Sequence, residues 1–232
     1  MPTPGLTIAI SKIRDPTTTS KEQFHRFYNE EHFPTILDFG IIKLALRFKN
    51  ADPTSARQYL AVYPLEDTTY QRSPEADKFI QDSKKSKILA CDDIYEYIDF
   101  DIRRYEKIQT YSGHSHAARS GLERGWTIVM VAMEPAPGQD QDFEDWYRKQ
   151  HLDMMSMLKH YRRSTRYKRQ DGVVPRYLAL HEFDCRPDDL PKEQLKVVIE
   201  TEWAQKILKE TLAFEMDIWE LVNVQGDEEV NL

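Results

Sequence analysis

The nine residues FHRFYNEEH at 24–32 return as FEDWYRKQH at 143–151, and that recurrence limits the fold more than anything else in the chain. Aligned without a gap, 24–50 against 143–169, the two stretches keep Phe24/Phe143, Tyr28/Tyr147, His32/His151, Arg47/Arg166 and Lys49/Lys168. Phe27/Trp146 and Phe48/Tyr167 stay aromatic. The matches fall on one helical face and at the end of the strand that follows, so they track structure. A repeat of this length predicts two copies of one half-domain within the 232 residues.

Hydrophobic patterning fills in each copy. In the first, Leu6–Ile13 reads as a strand, Ser20 as an N-cap with Gln23 at the capping-box position, and Phe24–His32 as a helix. Phe24, Phe27, Tyr28, Glu31 and Thr35 share one side of that helix, with His32 on its flank. Pro34 should weaken it at Phe33. Strands at Ile41–Lys49 and Tyr59–Tyr63, a helix at Pro74–Ala90 and a long strand within Ile94–Ile108 complete the copy. The second copy repeats the order with strands at Trp126–Met133, Arg163–Arg169, Tyr177–Phe183 and Phe214–Val224. Its helices span Phe143–Leu158, capped by Asp142, and Pro191–Leu212.

The fold class is therefore α+β: two tandem ferredoxin-like βαββαβ units, each a four-stranded antiparallel sheet with helices on one face. Expected boundaries are 1–110 and 126–224 for the two halves, 111–125 for a linker and 225–232 for an acidic tail. Strands such as IIKLALRF and YLAVY are apolar enough to be buried on both sides, so the two sheets should close a barrel inside one chain.

The motif FYNEEHFPTIL resembles the EthD-like members of the dimeric α/β-barrel (ferredoxin-like) superfamily, whose first helix carries an aromatic, a His four residues on and a Pro two further. Here those are Tyr28, His32 and Pro34; in the second copy Tyr147 and His151 match, but Asp153 replaces the proline. The resemblance implies a pocket between the helices and the sheet of each half. It covers cofactor-free monooxygenases, isomerases, polyketide cyclases, decarboxylases and some haem enzymes, a range that names no single chemistry.

From the residues themselves, a Tyr/His pair four apart on one helix face suits acid–base work near neutral pH. We expect the catalytic set to be His32 with Tyr28 and His151 with Tyr147, Asp153 orienting or charge-stabilising the second imidazole. The competing reading of each histidine is a half-buried residue that caps local carbonyls. Tyr63 and His181 occupy equivalent strand positions and reach the pockets if their face is the helix side, or the barrel core if it is not. Arg47 and Arg166 could bind a substrate carboxylate or stand as exposed cations at strand ends. Phe24 and Phe143 would line the substrate site. No metal is expected; His114 and His116 lie in a glycine-rich stretch without a clear third ligand.

The reading that follows is a cofactor-independent tailoring enzyme of secondary metabolism, of lyase or cyclase type. It would cyclise, dehydrate or decarboxylate an apolar polyketide-like or terpenoid-derived intermediate. The alternatives are a cofactor-free monooxygenase, a haem enzyme with a histidine ligand and a non-catalytic binder of a hydrophobic metabolite. No cofactor is expected, and there is no P-loop, GxGxxG, HExxH or serine-hydrolase signature. A net charge of -7 argues against nucleic acid and anionic membranes, and two lone cysteines fit a reducing, cytoplasmic setting. A monomer with a pseudo-dimeric barrel is expected, a homodimer being the alternative.

Overall fold

The computed structural model describes residues 2–113, 124–230 and 232. Eight antiparallel strands close a barrel in the order β1-β3-β2-β8-β5-β7-β6-β4. They are β1 (Gly5–Ile13), β2 (Leu44–Asn50), β3 (Tyr59–Leu65), β4 (Ile98–Ser112), β5 (Thr127–Glu134), β6 (Tyr161–Arg169), β7 (Tyr177–Phe183) and β8 (Ala213–Gly226). Two compact units divide inside the long strands: Met1–Glu106 with Leu221–Leu232, and Lys107–Glu220. β4 thus runs two residues into the expected linker, and the C-terminal stretch, expected as a tail, packs with the first unit and buries Leu232.

In the first unit β1 is central, paired with β3 (Thr7↔Tyr63, Ala9↔Ala61, Ser11↔Tyr59) and with β4 (Thr7↔Arg104, Ala9↔Ile102, Ser11↔Phe100). Side chains alternate across a pleat, so these rows share one face. That face meets Phe24, Phe27, Tyr28 and Phe33 of the helices in one buried cluster with Ala9, Ala61 and Tyr63. The opposite face carries Ile8, Ile10, Leu46, Phe48, Leu60 and Val62, all buried as well. Tyr63 is therefore on the helix side, not in the barrel interior. Removing each such side chain from water is worth roughly 1.5–3 kcal/mol, which commits both faces of the sheet.

The first helix begins as expected. Ser20 accepts from the Gln23 amide while the Gln23 side chain accepts from the Ser20 amide, closing a capping box. Proline does not end it. α1 (Lys21–Arg26) passes into a π-helical turn, Phe27–His32, and then into α2 (Phe33–Asp38). The Phe33 amide reaches back five residues to the Tyr28 carbonyl. That wider turn immediately precedes Pro34, where an α-helical path would press the ring on the carbonyl four residues back.

Proline is not the cause, however. The second unit has the same turn, Tyr147–His151, between α4 (Asp140–Trp146) and α5 (Leu152–Ser156), with Asp153 in the proline's place. Here the Leu152 amide donates to the Tyr147 carbonyl.

The later helices are shorter than periodicity suggests. α3 covers only Pro74–Asp82, and the chain then turns through a Ser86↔Cys91 bridge with Ala90 at φ +51°. Glu31, expected on the apolar side of its helix, instead holds that turn: its carboxylate accepts from Ser86 Oγ (2.6 Å) and from the amides of Lys87 (2.8 Å) and Ile88 (3.3 Å). In the second unit the single expected helix is two, α6 (Lys192–Ile199) and α7 (Glu202–Glu210), because Thr201 caps a new start through the Ala204 amide. Asp142 is not the cap of α4. It lies in the first turn and accepts from Trp203 Nε1 (3.2 Å) and Lys206 Nζ (2.8 Å), tying α4 to α7.

Candidate functional site

A cavity of about 240 Å³ opens in the first unit between the helices and the β3-β1-β4 face. An apolar cavity of ~150 Å³ accommodates a benzene, so this one admits a larger body. Its wall is apolar through Ala9, Ile36, Ile42, Phe79, Ile94 and Ile102. Three expected site residues, Tyr28, His32 and Tyr63, enter it together.

The π-turn explains why. In an α-helix, residues five apart point about 140° away from one another. Closing the turn over five residues instead brings His32 against Phe27, rings 5.2 Å apart and nearly parallel, while Tyr28 meets His32 edge-on at 5.2 Å. His32 is thereby turned from the flank of the helix into the cavity wall, 6.4 Å from the Tyr63 ring.

Burial fixes the charge states. His32 keeps some surface, but it faces the cavity, and desolvation lowers its pKa to about 4. The imidazole is therefore neutral at ordinary pH. Desolvation pushes Tyr28 up to about 12 and Tyr63 well above a normal phenol. Both are protonated donors; the Tyr63 hydroxyl has no hydrogen-bond partner, and Tyr28 has Ser11 beside it without a hydrogen bond of ordinary geometry. Buried polar atoms without partners are uncommon, and the Tyr63 hydroxyl on one cavity with Tyr28 and a neutral imidazole marks this as the candidate site.

Arg47 is not at an exposed strand end. It is fully buried on the helix side of β2, its guanidinium 4.5 Å from the Tyr28 ring centre and 5.3 Å from that of Phe24. It donates to Asn29 Oδ1 (3.2 Å) and to His25 Nδ1 (3.0 Å), which needs that nitrogen unprotonated. Burial first, then Arg47, lowers the His25 pKa. Phe24 packs on Tyr28 and Tyr59 and supports the site from behind; neither Phe24 nor Arg47 is in the cavity wall.

The second unit repeats the frame with other contents. His151 packs tilted against Trp146 (4.4 Å) and meets Tyr147 edge-on (5.1 Å), but it is almost fully buried and its Nδ1 has no partner. Burial holds its pKa well below normal. Asp153 does not orient it: two residues along a helix do not face each other, and Asp153 instead accepts from the Tyr111 hydroxyl. His181 lies 5.7 Å from His151, its Nδ1 2.6 Å from Ser164 Oγ, which accepts from Tyr161 Oη at 2.9 Å. Arg166 does bind a carboxylate, but one of the chain's own. Glu144 takes it in two parallel bonds of 2.9 and 2.8 Å, with the guanidinium 3.9 Å above the Tyr147 ring. Phe143 packs on Tyr147 and Tyr177.

Strand register shows where the two units differ. Val129, Val131 and Met133 stand where the first unit has Thr7, Ala9 and Ser11, since they pair with His181, Ala179 and Tyr177 as those pair with Tyr63, Ala61 and Tyr59. The Tyr147 hydroxyl lies 3.9 Å from Met133 Sδ. Sequence reading missed Thr7, Ala9 and the other residues that keep the first cavity open; comparing β1 with β5 by register is the signal that finds them. His114 and His116 lie outside the described residues. Among the described residues no group of three metal-binding side chains forms, and no helix is long and apolar enough to cross a membrane.

No protein-family model matches the chain. Core atranone cluster (CAC) protein 1 of Stachybotrys chlorohalonatus is 25% identical over 208 residues, 82% of this chain and 86% of that protein. Solved structures match more distantly. A chlorite dismutase variant from Candidatus Nitrospira defluvii aligns over 95% of this chain and 91% of that one, with TM-score 0.63 and 8% identity. An anthrone oxidase-like protein covers 96% and 93%, with TM-score 0.57 and 11% identity. The fold is that of the dimeric α/β barrels. Identities this low speak for the fold alone.

Proposed function

We propose that the chain is a tailoring enzyme of secondary metabolism that works in the cavity of its first unit by proton transfer on an apolar carbonyl compound. The supporting observation is the convergence of neutral His32 with the Tyr28 and Tyr63 hydroxyls, the latter without a partner, on one apolar cavity. The relative in an atranone cluster supports the setting. We read the two halves as a tandem duplication of an EthD-like unit in which the first kept an open site.

In this reading His32 removes a proton from the carbon beside a substrate carbonyl. The C–H electron pair becomes the enolate, whose oxygen accepts a hydrogen bond from Tyr28. Arg47, against the face of the Tyr28 ring, favours negative charge there and sharpens that donor. A histidine with a lowered pKa is a weak base in the empty site, but the developing enolate raises its proton affinity as the charge forms. The enolate then expels a β-hydroxyl, which leaves as water with the proton from His32, or attacks a second carbonyl whose oxygen takes that proton. Both outcomes balance without an oxidant. A cofactor-free oxygenase would share the enolate and then consume oxygen, so oxygen uptake separates the two.

The test is a metabolite comparison in the source organism between a deletion strain and strains restored with wild type, His32→Ala, Tyr28→Phe or His151→Ala. An upstream compound should accumulate on deletion and be cleared by wild type and His151→Ala. His32→Ala, at an equal protein level, should fail to clear it. Normal clearance by His32→Ala would remove the acid–base assignment, and an unchanged profile on deletion would remove the pathway role.

A further inference from the structure

The cavity has a polar edge that proton transfer at His32 does not use. Register aligns Tyr63, Thr7 and Arg104 in one row across β3, β1 and β4, and all three line the cavity. Gln71 closes over the row, donating from Nε2 to Thr7 Oγ1 at 2.8 Å. Its Oε1 is left buried without a partner, as is the Tyr70 hydroxyl beside it. Arg104 sits at the exposed end of the row, and among the described residues no carboxylate pairs with it.

Several of the chain's other arginines are paired with acids, though Arg14 and Arg47 bond neutral acceptors. Arg57, Arg103, Arg162, Arg163, Arg166 and Arg176 each hold an acidic side chain. The corresponding row of the second unit, His181–Val129–Ile218, ends in an isoleucine and carries no cation.

We propose that Arg104 is a specificity residue for a carboxylate, so that the ligand of the first unit is an apolar acid. Its ring or chain body fills the apolar wall, its carboxylate sits at the mouth against the guanidinium, and a hydroxyl or carbonyl reaches Tyr63, Tyr28 and Gln71 Oε1. A carboxylate held at the mouth is distant from His32 in role: it anchors the molecule and is not the group that reacts. Of the reactions above, this favours dehydration or cyclisation over loss of that carboxylate. The inference rests on the cavity being the substrate site, as proposed above.

Binding, which needs no turnover, tests it. The full chain is titrated calorimetrically with 6-hydroxy-2-naphthoate and with its methyl ester, at low and at high salt. A charge-assisted contact of this kind should favour the acid by roughly tenfold. Arg104→Gln should bring the acid down to the ester's affinity and leave the ester unchanged, and Arg104→Lys should retain part of the preference. Tyr63→Phe should weaken both ligands. Equal affinity for acid and ester, equal loss of both in Arg104→Gln, or no binding of either would overturn the proposal. Acid preference together with normal metabolite clearance by His32→Ala would fault only the catalytic reading. A His32-dependent metabolite phenotype without acid preference would fault only this one.

Discussion

Acidification from pH 7 to pH 5 should destabilise the fold through histidines that it keeps neutral. His32 has its pKa lowered to about 4 and His181 to about 3, both chiefly by burial, and His151 is lowered as well. In the unfolded chain each returns to about 6.5. Between those limits the unfolded state binds the extra protons, so stability is complete above the unfolded value and is lost as pH falls toward the folded one. For His32 the population factor at pH 5 amounts to about 2 kcal/mol, and His181 adds a similar amount. Carboxylates titrate mainly below this window, so the histidines dominate the slope.

The assay is the urea midpoint at pH 7, 6 and 5 for wild type, His32→Gln and His181→Asn. Absolute stability will drop in both variants, so the informative quantity is the change with pH. Each should lose about 2 kcal/mol less than wild type on going from pH 7 to 5. Equal pH dependence in wild type and both variants would refute the claim that these imidazoles are held neutral by burial.

Three further outcomes follow from single contacts. Glu144→Gln removes the carboxylate from buried Arg166 but leaves its hydrogen bond to Gln109 and its contact with Tyr147. Because Glu144 is itself a quarter exposed, the cost should be about 1–3 kcal/mol, read as a fall of several degrees in Tm; a shift within error would reject it. Ala9→Val, which copies the second unit's Val131, should fill part of the cavity and weaken 6-hydroxy-2-naphthoate binding more than tenfold, with Tm kept or raised. Unchanged affinity would mean the probe binds elsewhere. Glu31→Gln should loosen the Ser86–Cys91 turn, seen as faster amide exchange at 86–91 with the strands unaffected.

Much of the fold was legible because local rules and burial agree. Tyr177–Phe183 alternates and is a strand over those residues, and Ser20 with Gln23 caps as its spacing predicts. The candidate site was legible only as a set of residues. A π-turn has no required residue type: Pro34 follows one and Asp153 follows the other, so the rotation that carries His32 into the cavity leaves no mark in the sequence. Arg47 and Arg166 fall on the helix-side face by alternation, but a charged residue near a strand end reads as exposed until the helix covering it is known. Asp153 looked like a partner for His151 on sequence proximity alone, whereas helix geometry sends it to Tyr111.

The two units put nearly the same aromatic frame to different ends. In each, an arginine lies against the tyrosine of the π-turn helix, and that tyrosine lies edge-on to a histidine. What differs is what satisfies the arginine and what fills the space beyond the tyrosine. In the second unit a carboxylate, Glu144, neutralises Arg166, and Met133, Val131 and Val129 add bulk beside Tyr147 and His181. In the first, His25 stands where Glu144 does, and Arg47 has only the neutral acceptors His25 and Asn29. An arginine with neutral partners leaves its positive field available to Tyr28, and Thr7 and Ala9 leave room beside it, which the anionic intermediate of the proposed reaction would use. His25→Glu should therefore be the discriminating variant. It offers Arg47 the carboxylate that Arg166 already has, so it should raise Tm while lowering turnover. If turnover survives with Arg47 neutralised, the arginine serves the fold alone, and the Tyr28 hydroxyl works without it.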